Sequence, residues 1–142
     1  MRFELPAEKK LVHESVVPLR WGDMDAMGHI NNTLYFRYME IARLDWMFKV
    51  GAGVRNGGSG GQGPIVLNAF CNFMRQLTYP GDVRVAMYVA TPGRSSFETF
   101  HTIVRVDEPE VVYAEGGACV VWTDYAAKKS APMPDWFRAL VA

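Results

Sequence analysis

Residues Asn32–Val50 run without a proline or glycine, and Gly51 stops them. Within that run lie Leu34, Tyr35, Phe36, Tyr38, Met39, Ile41, Ala42, Leu44, Trp46, Met47, Phe48 and Val50. The spacing predicts a long helix whose apolar residues cover more than one face, and such a helix is expected to be buried on most sides. Its polar residues are few. Arg37 with Glu40, and Glu40 with Arg43, stand three apart and can pair on one side. Asn31 or Asn32 can cap its first N–H groups.

The rest of the chain reads as strands that must cover this helix. His13–Arg20 is the first, with Pro18 suggesting an edge or a bulge. Gly51–Gly63 is rich in glycine and reads as a connector or a flap near a ligand. After it come Ile65–Phe73, a turn at Tyr79–Asp82, alternation from Val83 to Ala90, and a turn at Thr91–Arg94. Ser95–Val106, a polar turn at Asp107–Glu110, and Val111–Trp122 complete the strands. Residues 1–12 read as a loose arm, and Pro134–Ala142 as a short terminal helix. No further helices alternate with the strands, which excludes a parallel β-α-β series. The expectation is an α+β fold in one domain spanning residues 1–142, a curved antiparallel sheet wrapped round one central helix. One sheet and one helix leave a sheet face or edge uncovered, so a homo-oligomer is expected.

Charge narrows the function. Fifteen basic residues balance fifteen acidic ones, which argues against nucleic acid as the main partner. Cys71 and Cys119 do not make a disulfide framework and read as buried thiols. No run resembles a signal-peptide core or a membrane span, so a soluble cytoplasmic protein with no membrane partner is the expectation.

The chemistry concentrates just before the helix, in Arg20–Arg43, RWGDMDAMGHINNTLYFRYMEIAR. A carboxylate in a partly buried pocket can act as general base toward water or as nucleophile toward an acyl group. The free N–H groups at the helix start can stabilise the oxyanion that results. Asp25 precedes the helix, with Gly28 allowing a tight loop between them. His29 could orient a water or hold a carbonyl, and Glu40 could support the site from two turns into the helix. By spacing alone, Asp23 and Asp25 read first as turn or capping residues, and Glu40 can simply pair with Arg43. Asp23, Asp25 and His29 lack a second histidine or a cysteine nearby, so no metal is expected. There is no G-x-S-x-G nucleophile elbow.

Taken together, D-x-D-x-x-G-H-x-N-N-x-x-Y followed by E-x-x-R resembles the hotdog-fold acyl-CoA thioesterases of the 4-hydroxybenzoyl-CoA thioesterase type. The resemblance covers roughly residues 13–125, including Pro64-Ile65-Val66, Tyr79-Pro80-Gly81-Asp82 and Gly93-Arg94-Ser95-Ser96-Phe97. It implies a five-stranded antiparallel sheet around a long helix, and a homodimer or homotetramer with active sites at the subunit interface. It implies hydrolysis of an acyl-CoA thioester, CoA being part of the substrate and no cofactor being needed. Asp25 matches the family's catalytic carboxylate, and the backbone of Asn32 the helix-start amide that polarises the thioester carbonyl. Arg94 and Ser96 match its nucleotide contacts. Plant acyl-carrier-protein thioesterases are similar through Asp25 and His29, but their intervening asparagine is Met27 here. Tyr35, Phe36, Tyr38 and Phe70 suggest an apolar or aromatic-lined acyl pocket. A non-catalytic acyl-CoA or acyl-carrier binding module is the alternative function, and a hydratase or dehydratase acting on acyl thioesters a further one.

Overall fold

The computed structural model describes residues 1–52 and 61–142. The chain forms β1 (Lys10–Pro18), a single 3-10 turn at Trp21–Asp23, α1 (Asn32–Lys49), β2 (Gln62–Phe73), β3 (Asp82–Ala90), β4 (Ser96–Arg105), β5 (Glu108–Asp124), β6 (Lys129–Ser130) and α2 (Asp135–Val141). The five long strands are antiparallel in the order β1-β3-β4-β5-β2, and the two residues of β6 add to β5. This is the hotdog arrangement, with β6 a short addition to the five strands expected. The polar turn at Asp107–Glu110 is tighter than its composition suggested, since β5 already begins at Glu108. The glycine-rich connector lies largely outside the described residues, and its last two positions, Gln62 and Gly63, open β2.

Antiparallel register places Met87, His101, Gly116 and Cys71 in one row across the sheet, and Val85, Ile103, Ala114 and Phe73 in the next. Residues directly opposite one another share a face, so both rows sit under α1. Small residues let the helix approach. A Cβ on Gly116 would come within 2.5 Å of the Phe70 carbonyl oxygen and 2.7 Å of the Met39 sulfur. The core divides into two groups. One gathers Tyr35, Tyr38, Met39 and Ala42 with Val83, Val85 and Ile103. The other joins Trp46 and Met47 to Phe97, Val120, Trp122 and Phe137, the last of these brought by α2 and wholly buried. Burying a phenylalanine so completely contributes about 1.5–3 kcal/mol.

Three expectations need correction. α1 is buried on one face only, through Tyr35, Tyr38, Met39, Ala42, Trp46 and Met47. Phe36, Leu44 and Phe48 are exposed. The aromatic and aliphatic excess of the helix therefore faces outward from a single chain.

The amino-terminal arm is not loose. Lys10–Val12 belong to β1, and the residues before them strap the outer face of the sheet. The Phe3 N–H donates to Asn72 Oδ1 at 3.1 Å while Asn72 Nδ2 donates to the Phe3 carbonyl at 2.6 Å. Arg2 pairs with Glu115 at 2.7 Å, and the Phe3 ring packs 5.1 Å from Phe70.

Both cysteines are half-buried rather than enclosed. Burial raises both thiols, Cys71 to about 12, and neither is poised as a nucleophile. Among the described residues no helix is long and apolar enough to cross a membrane.

Candidate active site

The chain between β1 and α1 is folded back on itself. Met24 and Ile30 form an isolated bridge. Within it the Asp25 N–H donates to the His29 carbonyl at 3.0 Å and the Gly28 N–H to the Asp25 carbonyl at 3.0 Å. Gly28 takes φ 81, a conformation other residues rarely adopt. Two bonds pin the base of the loop. Asn31 N–H reaches the Asp23 carbonyl at 2.9 Å, and Ile30 N–H reaches the Leu77 carbonyl at 2.8 Å.

Asn31 is the hinge of the site. Its Oδ1 accepts from the Thr33 N–H at 3.0 Å and so caps α1. Its Nδ2 donates to Asp25 Oδ2 at 3.0 Å. Asp25 Oδ1 accepts from the Met27 N–H at 2.9 Å. One carboxylate oxygen is thus fixed by the loop and the other by the residue that starts the helix. Asn32 is the first helical residue, and a helix leaves its first N–H groups without intrahelical partners.

Asp25, His29 and Asn32 line one open cavity of about 830 Å³, together with Met27, Ile30, Tyr35, Phe73, Met74, Arg75, Gln76 and Tyr113. The carboxylate and the helix start therefore face the same space. The far wall comes from β5 and from the connection between β2 and β3. That connection is tied to α1 through Tyr35. Its hydroxyl donates to the Arg75 carbonyl at 3.3 Å and accepts from the Leu77 N–H at 3.0 Å. Tyr35 lines the cavity as expected, but its hydroxyl is spent on holding the wall. Arg105 braces the same connection from behind, donating to the Thr78 carbonyl at 3.0 Å and the Pro80 carbonyl at 2.8 Å.

The remaining expected residues lie elsewhere. Asp23 faces away from the cavity, 3.4 Å from the Tyr38 hydroxyl. Burial is the main cause that pushes this hydroxyl's pKa well up, with the Asp23 charge adding to it. Glu40 sits in a separate depression, paired with Arg37 at 3.1 Å. The half-buried Arg43 makes no ion pair among the described residues. Arg94 and Ser96 follow β3 at the end away from Pro18. β3 is nine residues long, so that end lies about 30 Å from the Asp25 end. Within one chain the Arg94 turn and the cavity are not brought together.

Sequence reasoning missed Asn31 as the donor to Asp25, and missed Arg75, Gln76 and Tyr113. Asn31 had a signal, since it stands before the helix with a side chain able both to donate and to accept. The other three carry none, because only the sheet register brings them to the cavity. Among the described residues there is no group of three or more His, Cys, Asp or Glu side chains able to hold a metal ion.

A sequence model of the thioesterase-like superfamily matches residues 19–141, which include every residue of this cavity. The chain belongs to that superfamily. Among solved structures, this thioesterase-like chain is similar to the candidate thioesterase PA2801 of Pseudomonas aeruginosa. Identity is 37%, coverage 94% of this chain and 100% of that one, and the TM-score 0.86. It is similar to a candidate acyl-CoA thioesterase of Xanthomonas campestris at 33% identity, covering 87% of this chain and 100% of the other, with a TM-score of 0.76. A thioesterase of Thermus thermophilus, solved with coenzyme A and zinc, matches at 25% identity, covering 91% and 90% of the two chains, with a TM-score of 0.77.

Proposed function

We propose that this protein hydrolyses an acyl-CoA thioester to the free acid and CoA. The observation that carries the reading is that the Asp25 carboxylate and the start of α1 open on one cavity, joined through Asn31. The thioester carbonyl oxygen lies against the Asn32 N–H, a fixed dipole whose hold on the oxygen strengthens as negative charge develops there. Asp25 either takes a proton from a water that attacks the carbonyl carbon, or attacks that carbon itself to form an acyl-Asp25 anhydride that water then hydrolyses; on both routes the thiolate of CoA leaves. His29 borders the same space and can orient the water. A carboxylate held by two hydrogen bonds is already aimed, so little reorganisation is needed at the moment of reaction.

The working unit of this proposal is a cytoplasmic homodimer or homotetramer. Among the described residues β2 pairs only with β5, and its other edge exposes Ile65, Val66 and Leu67. Phe36, Leu44 and Phe48 expose further apolar surface on α1. A role for Arg94 and Ser96 in holding the nucleotide requires that another copy bring them to it.

The test is release of free thiol from a panel of short, medium and long aliphatic acyl-CoAs and one aromatic one, with Asp25→Asn beside the wild type. Release by the wild type and its loss in Asp25→Asn support the mechanism. Equal turnover by the two proteins refutes the role of Asp25. CoA esters that bind without release would make this a binding protein.

A further inference from the structure

The connection between β2 and β3 brings to the cavity a charged group for which hydrolysis itself has no use. Arg75 and Gln76 line the wall beside Tyr113. Among the described residues the Arg75 guanidinium makes no ion pair and donates no hydrogen bond. Its backbone, by contrast, is fixed at both ends. The Arg75 N–H donates to the Tyr113 carbonyl at 3.0 Å, and its carbonyl accepts from Tyr35. An exposed cation is therefore presented from an anchored connection.

Its position relative to the thioester follows from α1. Tyr35 stands three residues after Asn32, about 4.5 Å along the helix axis. Its hydroxyl touches the Arg75 backbone, so that backbone lies about one tyrosine side chain from the helix start, and the Arg75 side chain lines the same cavity. The same cavity is lined by the largely apolar Phe73, Met74, Tyr35 and Tyr113. An acyl chain leaving a carbonyl at Asn32 would run over this apolar stretch and end against Arg75 and Gln76. Both side chains are exposed in the single chain, and a saturated hydrocarbon ending there would displace part of their water and return no hydrogen bond. A carboxylate would meet the planar fork of Arg75 with two parallel bonds and leave Gln76 a further acceptor to reach.

We propose that Arg75, assisted by Gln76, forms the subsite for the far end of the acyl group and selects acyl-CoAs that carry a carboxylate there. The placement of the thioester rests on the hydrolase reading above. The same chemistry could come from a phosphate of CoA, and the experiment separates the two sources.

The matched pair is adipoyl-CoA and hexanoyl-CoA, which share chain length and CoA and differ in one carboxylate. The wild type is expected to show the higher kcat/KM on adipoyl-CoA. Arg75→Met is expected to lower the adipoyl-to-hexanoyl ratio of kcat/KM by about ten- to a hundredfold, the range of a charge-assisted hydrogen bond. Arg75→Lys should keep part of the ratio. An Arg75→Met ratio equal to the wild-type ratio overturns the proposal, including the case in which both substrates weaken together because Arg75 meets a CoA phosphate. Wild-type preference for hexanoyl-CoA also overturns it. Binding of both esters to Asp25→Asn, read by calorimetry with and without Arg75→Met, separates the subsite from the hydrolase reading. Tighter, Arg75-dependent binding of adipoyl-CoA upholds the subsite even if the wild type hydrolyses neither ester. Equal binding of the two esters refutes it whatever the turnover.

Discussion

His101 gives the sharpest stability prediction. It sits on β4 in the row under α1, between Met87 and Gly116, with no exposed surface. Neither ring nitrogen has a hydrogen-bond partner among the described residues. Burial, and secondarily the charge of Arg43, depress its pKa from 6.5 to about 3. The folded protein thus holds this ring neutral while the unfolded chain protonates it below pH 6.5. Stability from this site is complete above that pH and is lost as the pH falls toward 3. Each unit is worth about 1.36 kcal/mol, so the loss is about 2 kcal/mol at pH 5 and about 4 kcal/mol at pH 3. His101→Met keeps an apolar side chain of similar bulk and removes the titration. Urea unfolding of both proteins at pH 7.5 and pH 5.0, at one protein concentration, reads the difference. The wild type should lose about 2 kcal/mol more than the variant over that interval. The carboxylates and the other two histidines are common to both and cancel. Equal losses in the two proteins would show that His101 is not held neutral in the fold, and the argument would fall.

Other expectations concern the site and the packing. Asn31→Ala should cost about 1 kcal/mol through the lost cap and reduce turnover as well. Asn31→Asp keeps an acceptor for Thr33 but sets a carboxylate against Asp25, so denaturation should show a stable protein and a thiol-release assay a much weaker one. Gly116→Ala should destabilise by about 1–3 kcal/mol in a melting experiment, because the added methyl meets both the β2 backbone and Met39. Leu67→Lys on the free edge of β2 should shift the protein toward monomer in analytical ultracentrifugation, and an unchanged sedimentation coefficient would exclude that edge as the contact.

Much of this fold was legible because its signals are local. Tyr79-Pro80-Gly81-Asp82 and Thr91-Pro92-Gly93-Arg94 announce turns by residue type, and the Gly28-to-Asn32 stretch announces a helix start. The cavity was half legible for the same reason: Asp25, His29 and Asn32 are neighbours in sequence and fall together. Arg75 and Tyr113 are distant in sequence, and nothing in their own segments says that β2 and β5 will pair. The strap was missed because its grip on the sheet depends on Asn72, whose amide answers a backbone it meets only after folding. The outward apolar residues of α1 misled for a related reason. Periodicity counts apolar positions but does not say whether this chain or another copy covers them.

The double duty of Asn31 bears on how relatives should be compared. Because it caps α1, selection for a folded protein preserves it whether or not any chemistry survives. Asp25 takes its hydrogen bonds from a loop and from that cap, and the helix does not depend on it. In a lineage that abandoned hydrolysis and kept the fold, Asp25 would drift first while Asn31 stayed. A relative holding Asn31 but lacking an acid at position 25 is therefore where a purely ligand-carrying descendant should be sought.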